Sequence, residues 1–172
     1  MGRLRYRRHR FNPACLCAIT RPMTEVRFVD TTLRDGQQSL WAYNMRTGMI
    51  VPIVEHIDNA GFEAVELGGP VELPKCVKEL REDPWERYRL VIPKFKQTPL
   101  RLIHGTRSGF AIFPDAIHQL YDTCMANVGV TEVRISDSWN DPADWAWRVK
   151  QAKTAGLNPC THQEGAGGVW RF

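Results

Sequence analysis

Several familiar signals are absent from this 172-residue sequence, and each absence narrows the kind of protein it can encode. No run approaches the roughly 18 apolar residues that a membrane-spanning helix needs, so we expect no membrane partner. The five cysteines are odd in number and include no C-x-x-C pair, which favours free thiols over a disulfide framework. No glycine-rich phosphate loop follows the first apolar run, which argues against a dinucleotide-binding fold.

Acidic residues are missing from residues 1–22, which contain six arginines. Setting these arginines aside leaves 17 basic residues against 19 acidic ones, so the remaining chain is mildly acidic. We therefore expect no nucleic-acid partner, because such a partner requires a basic stripe on the folded part. We interpret residues 1–22 as a basic tail, disordered or a non-native extension, ahead of a natural start at Met23. We expect a cytoplasmic protein, with mitochondrial import through the arginine-rich tail as the alternative.

Beyond Met23, short β-rich runs alternate with helical patterns. The alternation predicts an α/β fold with a parallel sheet. Both an eight-stranded (β/α) barrel and a doubly wound open sheet fit it, and polar residues after nearly every strand favour the barrel. The expected strands span residues 26–30, 64–69, 99–105 and 131–138, and a fifth opens in "LNPCTH".

The helical segments carry specific local signals. Thr47 is expected to cap a helix over residues 47–61, which Pro52 kinks. Asp-Pro pairs predict helix starts at Asp83 and Asp141. We expect His56 and His118 at the surface. The stripe expected to be buried on the helix over 113–129 comprises Ile117, Leu120, Tyr121, Cys124 and Val128.

The stretch "VRFVDTTLRDGQQS" (26–39) places a cation beside an anion just after a strand. Asp35 offers a hard oxygen ligand for a divalent metal, and Arg34 offers a permanent cation with a planar fork of donors. Together they suit a reaction that passes through an enolate, whose oxyanion the guanidinium neutralises. An ordinary surface ion pair is the alternative.

Five motifs extend this interpretation to a known family: "DTTLRDGQQSL", "EAVELGG", "EDPWERYRL", "TPLRLIHG" and "RISDSWND". They resemble the carboxyltransferase domain of pyruvate carboxylase and of the oxaloacetate decarboxylase α subunit. More distantly, they resemble the hydroxymethylglutaryl-CoA lyase and isopropylmalate synthase group. The resemblance implies the N-terminal half of a (β/α)8 TIM barrel, truncated, over residues 23–158, followed by a divergent C-terminal tail over 159–172.

The same resemblance implies metal-dependent carboxyl transfer or decarboxylation of a 2-oxo acid through an enolate. It implies a divalent metal (Zn, Mn or Co), carboxybiotin as a co-substrate on a separate domain or biotin-carrier subunit, and a possible homo-oligomer. By position, Arg34 matches the catalytic arginine, Asp35 the metal ligand and Gln38 a substrate-binding residue. His104 stands where pyruvate-using members have an arginine for the substrate carboxylate, so a histidine there suggests another acid or acyl substrate.

Glu66 ends the second strand and Asp137 closes the fourth, where both are expected to support the site from behind the residues that bind metal and substrate. Glu66 has a second interpretation as a simple ion-pair partner of Arg34. Gly36-Gln37 replaces the Ala-His of the carboxyltransferases and resembles the lyase and synthase version.

The lysine and the H-x-H pair that complete the family's metal site have no match in the sequence. We therefore expect the isolated chain to be inactive. The alternatives are a lyase or aldol/Claisen synthase, and a non-catalytic half-barrel that a partner completes.

Overall fold

The computed structural model describes residues 26–105, 113–136, 141–162 and 169–171. Within these residues, one sheet contains six strands that lie side by side in chain order. The first five strands are mutually parallel, and the sixth pairs antiparallel with the fifth. The strands are β1 (Val29–Asp30), β2 (Ala64–Gly68), β3 (Leu100–Ile103), β4 (Glu132–Ser136), β5 (Asn158–His162) and β6 (Val169–Arg171).

Helices connect the parallel strands. None of the helices in the described ranges combines the length and apolar character needed to cross a bilayer. Two π-helical turns cover Thr32–Gly36 and Cys76–Leu80, and two 3₁₀ turns cover Val51–Ile53 and Ile92–Lys94. The α-helices are α1 (Gln37–Trp41), α2 (Thr47–Ile50), α3 (Val54–Asp58), α4 (Glu72–Lys75), α5 (Pro84–Val91), α6 (Asp115–Asn127) and α7 (Pro142–Thr154).

The strand order distinguishes between the two architectures that the sequence left open. A doubly wound sheet reverses its order at a switch point, whereas β1 to β5 each lie beside the preceding strand without reversal. Because parallel crossovers are right-handed, an unreversed order puts all connecting helices on the same face of the sheet. The α/β fold with the strand order of a partial (β/α)8 barrel is therefore confirmed.

The two faces of the sheet differ in chemistry. Apolar strand residues such as Val65, Leu102 and Val133 pack with Tyr88 and Met125 from the helices to form the core. The opposite face presents charged side chains in paired register, since Glu66 aligns with Arg101 and Arg101 with Glu132. In a barrel this second face points inward, so the fold places these charged residues on the inside of the sheet.

The helix predicted over 47–61 forms as α2, a 3₁₀ turn at Pro52, and α3, which confirms the expected distortion. The predicted cap at Thr47 is wrong, because Thr47 is already helical and Arg46 occupies the N-cap position without a side-chain cap bond. Glu82 takes over the capping role from a distant segment. Its Oε2 accepts hydrogen bonds from the Thr47 backbone N–H at 3.0 Å and from the Thr47 hydroxyl at 2.7 Å.

The two Asp-Pro helix starts are confirmed, with Asp83 and Asp141 accepting from backbone N–H groups at 2.8 and 2.9 Å.

The stripe expected to be buried on α6 is wrong in part. Ile117 and Leu120 are 45% and 59% exposed, although Tyr121 is buried as predicted. His118 is 3% exposed, so the surface position expected for it is wrong as well. The helix is rotated because Asp122, which is fully buried, forms an ion pair with Arg148 of α7 at 2.6 Å. A paired buried charge therefore overrides the apolar periodicity on this helix.

Candidate functional site

The segment after β1 is helical, and this conformation determines where the predicted site residues lie. The Asp30 carboxylate accepts hydrogen bonds from the Thr32 N–H at 3.1 Å and the Thr32 hydroxyl at 2.8 Å, which starts the π-helical turn. The turn continues directly into α1. Arg34 and Gln38 are four residues apart on this helical segment, so their side chains share a face.

Four charged residues form an arginine–carboxylate cluster: Arg34 and Asp35 lie in the turn just past the carboxyl end of β1, and Glu66 and Arg134 lie midway along β2 and β4. Arg34 donates to Glu66 Oε2 through Nε at 2.9 Å and Nη2 at 2.8 Å, and to Asp35 Oδ1 through Nη1 at 3.0 Å. Arg134 reaches Glu66 from β4, with Nε 2.5 Å from Oε1 and Nη2 3.2 Å from Oε2. The two guanidinium groups thus share one carboxylate.

Glu66 is the centre of this cluster, because its side chain is only 2% exposed. Burial by itself raises the pKa of this carboxyl, but the hydrogen bonds and charges of Arg134 and Arg34 bring it below its ordinary value. The carboxylate therefore stays ionised and holds Arg34 in one orientation. Of the two interpretations of Glu66, the structure shows its ion pair with Arg34, and its support of a metal site stays a prediction.

The sequence patterns considered above do not single out Arg134, although a local signal for it exists. It lies two residues after Glu132 on β4, so both side chains lie on the charged face of the sheet. An arginine at an alternating position on the inward face of a barrel strand is a candidate for the site.

A buried network fixes the segment that carries Arg34. The Gln37 side chain is 1% exposed, and its Nε2 donates to the Leu33 carbonyl and to Glu72 Oε1. Glu72 in turn accepts from Arg87 of α5, and both side chains are 2% exposed. Gln37 therefore belongs to the interior, beneath the segment that carries Arg34.

His104 lies away from the arginine–carboxylate cluster. Its imidazole is 2% exposed and faces the helices, with Nδ1 2.7 Å from Asp122 Oδ1 and Nε2 2.6 Å from His118 Nδ1. Burial, together with the nearby charge of Arg148, lowers the pKa of His104 to about 4 despite the Asp122 carboxylate. A substrate bound at the cluster would not touch a side chain in this position.

Other sequence-predicted residues lie outside the described part of the chain. Asp137, expected to support the site, is among the residues 137–140 that the structure does not describe, and the tail 1–22 is likewise outside it.

Asp35 is 54% exposed, so its carboxylate is accessible. In the described ranges, no three His, Cys, Asp or Glu residues come together as metal ligands. The residues described here therefore do not by themselves fit a tightly held metal.

The fold and cluster define the class first: part of an α/β barrel with a charged cluster on the inner face of its parallel strands, beside the turn that follows β1. No protein-family model matches the chain. It is 37% identical over 133 residues to a pyruvate carboxylase subunit of Methanocaldococcus jannaschii, covering 76% of this chain and 24% of that protein. It is 31% identical over 135 residues to the 2-oxoglutarate carboxylase large subunit of Hydrogenobacter thermophilus, covering 77% of this chain and 21% of that protein.

Solved structures agree with the sequence comparison. The carboxyl transferase domain from Rhizobium etli pyruvate carboxylase, solved with 3-bromopyruvate, superposes with a TM-score of 0.72 and 26% identity. The match covers 80% of this chain and 24% of that chain. The same domain solved with pyruvate and biocytin gives a TM-score of 0.70 and 25% identity. About three quarters of this chain is similar to part of pyruvate carboxylase and its relatives, and it spans at most about a quarter of the length of the two relatives described above.

Proposed function

We propose that this chain contributes the arginine and aspartate part of a carboxyltransferase site that acts on a small 2-oxo acid through its enolate. The observation that carries the proposal is the pairing of Arg34, just past β1, with buried Glu66 of β2, with accessible Asp35 beside it. A guanidinium held by an ionised carboxylate is preorganised, so it need not reorient when charge develops on a nearby oxygen. Relatives that carboxylate different 2-oxo acids support the class of substrate without selecting one.

The chain's own residues have distinct tasks in this proposal. Arg34 stabilises the oxyanion of the enolate, and Gln38, on the same helical face, donates a hydrogen bond to the substrate. Asp35 supplies one ligand of a divalent metal (Zn, Mn or Co), whose other ligands the described residues do not provide. Carboxybiotin on a separate domain or subunit would deliver the carboxyl group. His104 takes no part in substrate binding in its observed position. The cytoplasmic location and homo-oligomeric assembly stay predictions from the sequence.

The test compares the isolated chain with a reconstituted site. The full chain, with Zn²⁺, Mn²⁺ or Co²⁺, is assayed for oxaloacetate decarboxylation and for exchange of the pyruvate methyl protons in D₂O. We expect no rate above background. Adding in trans the part of the Methanocaldococcus jannaschii protein that this chain does not match should restore exchange.

Two variants separate the site from the fold. Asp35→Ala should abolish the restored exchange, whereas Asp115→Ala, which removes an exposed acid at the start of α6, should leave it unchanged. A reconstituted mixture without exchange would contradict the proposed function. Turnover by the isolated chain that disappears in Asp35→Ala would instead show that this chain alone completes the site.

A further inference from the structure

Tyr43 is a residue near the site that neither the family resemblance nor the proposed function uses. Its side chain is partly buried, and its hydroxyl donates a hydrogen bond to Gln38 Oε1 at 2.6 Å. The charges of Glu72, Arg34 and Asp35 all act on this hydroxyl. Tyr43 therefore lies beside the arginine–carboxylate cluster, next to the residue predicted to bind the substrate.

The backbone that presents Tyr43 adopts an unusual conformation. Ala42 and Tyr43 have φ angles of 48° and 63°, in the left-handed region that favours glycine. Their N–H groups close the end of α1, with Ala42 N–H donating to the Gln38 carbonyl at 3.1 Å and Tyr43 N–H to the Gln37 carbonyl at 3.0 Å. Two consecutive residues other than glycine in this region cost free energy, and such conformations concentrate at functional sites. The reversal folds Tyr43 back over the helix that carries Gln38.

The direction of the hydrogen bond determines what Gln38 can offer a ligand. A carboxamide has one acceptor oxygen and one donor nitrogen. Because the phenol occupies the oxygen, the two N–H groups of Nε2 remain for other partners. Burial and the negative charge of Glu72 raise the pKa of Tyr43 to about 12, so the phenol keeps its donor proton at neutral pH. A substrate carbonyl, carboxylate or enolate oxygen needs a donor, and this orientation supplies one on the face that Gln38 shares with Arg34.

We infer that Tyr43 is a positioning residue that locks the Gln38 carboxamide with its Nε2 donor directed outward, for an oxygen of the bound substrate. The substrate part of this inference rests on the proposed function. The orientation of the amide is a property of the free protein and can be measured separately.

The experiment uses the full chain, uniformly labelled with ¹⁵N. Gln38→Ala assigns the side-chain amide signals of Gln38, and Tyr43→Phe removes only the phenolic oxygen. In the unsubstituted chain we expect a rigid Gln38 amide, and in Tyr43→Phe a mobile one, with unchanged backbone signals for α1. Tyr121→Phe, which removes a buried hydroxyl that makes no hydrogen bond to Gln38, is the matched control and should leave the amide rigid.

A second measurement uses pyruvate as the probe, with the chain reconstituted in trans with the missing part of the Methanocaldococcus jannaschii protein. Tyr43→Phe should weaken pyruvate binding about three- to tenfold, the range expected for one net hydrogen bond. The double variant Gln38→Ala with Tyr43→Phe should bind no more weakly than Gln38→Ala, because Tyr43 acts through Gln38.

The outcomes separate the two claims. An equally rigid Gln38 amide in Tyr43→Phe overturns the inference, whatever pyruvate does. An additional loss of affinity in the double variant also overturns it, because Tyr43 would then act on the substrate independently. A mobile amide in Tyr43→Phe, together with no pyruvate binding by the reconstituted, unsubstituted protein even at high concentration, supports the positioning role and counts against the proposed function.

Discussion

Arg87 provides the most demanding test of the buried network beneath the site. Its side chain is 2% exposed and donates to four acceptors: Glu72 Oε1, Glu82 Oε2, the Thr47 hydroxyl and the Met45 carbonyl. Substituting Arg87→Met keeps most of the side-chain volume and removes all of these bonds. The carboxylate of Glu72 would then be buried without its cation.

The magnitude follows from that uncompensated charge. Removing one partner of a buried ion pair typically costs about 3–5 kcal/mol, so we expect the free energy of unfolding to fall by about 4 kcal/mol. This is a large share of the roughly 5–15 kcal/mol that stabilises an ordinary domain. Arg89→Met, which replaces an exposed arginine on the same helix, should change it by less than about 0.5 kcal/mol.

The assay is urea unfolding followed by circular dichroism, at several pH values. The pKa of Glu72 is raised in the folded protein, because burial outweighs the opposing effect of Arg87, and losing Arg87 raises it further. A carboxyl with a raised folded-state pKa becomes less destabilising as the pH falls through that pKa, since the proton replaces the missing cation. The deficit of Arg87→Met should therefore shrink as the pH is lowered from 8 to 5. An equal loss in Arg87→Met and Arg89→Met, or a deficit that grows on acidification, would refute the reasoning.

Three further predictions follow from single features. Ala42→Gly should stabilise the chain by about 0.5–1 kcal/mol in urea unfolding, because glycine adopts the left-handed conformation without strain, and no gain would contradict the backbone argument. Gly105→Ala should destabilise it by about 1–3 kcal/mol, because a Cβ there would lie 2.5 Å from the Ser136 carbonyl oxygen. Gly48→Ala, in open space within α2, should be neutral or stabilising in the same assay. His104 has a pKa lowered from 6.5 to about 4, so its contribution to stability should be complete above pH 6.5 and lost as the pH falls towards 4. His104→Gln should flatten the pH dependence of the unfolding free energy over that interval. An unchanged slope would show that His104 does not cause the loss of stability.

The parts of the structure that the sequence predicted well depend on local signals. β2 and β4 are continuous apolar or alternating runs, and the Asp83 and Asp141 caps are encoded within three residues of each helix start. β1 was predicted as five residues and forms as two, because the chain turns into the helix that carries Arg34 almost at once.

The parts that were missed depend on pairs of residues that are distant in the sequence. Asp122 and Arg148 are both fully buried, yet each alone has the composition of a surface residue. Only their pairing makes that burial favourable, and with it the rotation of α6 and the inward position of His118. Alternation along β3 already places His104 on the core side with Leu102, and its buried partners Asp122 of α6 and Arg148 of α7 come from distant segments.

The bond between Glu66 and Arg134 joins residues 68 positions apart, on strands that β3 separates. Such a contact closes a long loop, whose entropy cost must be met before the contact can form. We therefore expect the site to form late in folding, when the first four strands are already aligned. In native-state hydrogen exchange, the guanidinium protons of Arg134 should then exchange mainly when the whole sheet opens. Exchange at Arg134, a member of the arginine–carboxylate cluster, would thus also measure the stability of the sheet around it.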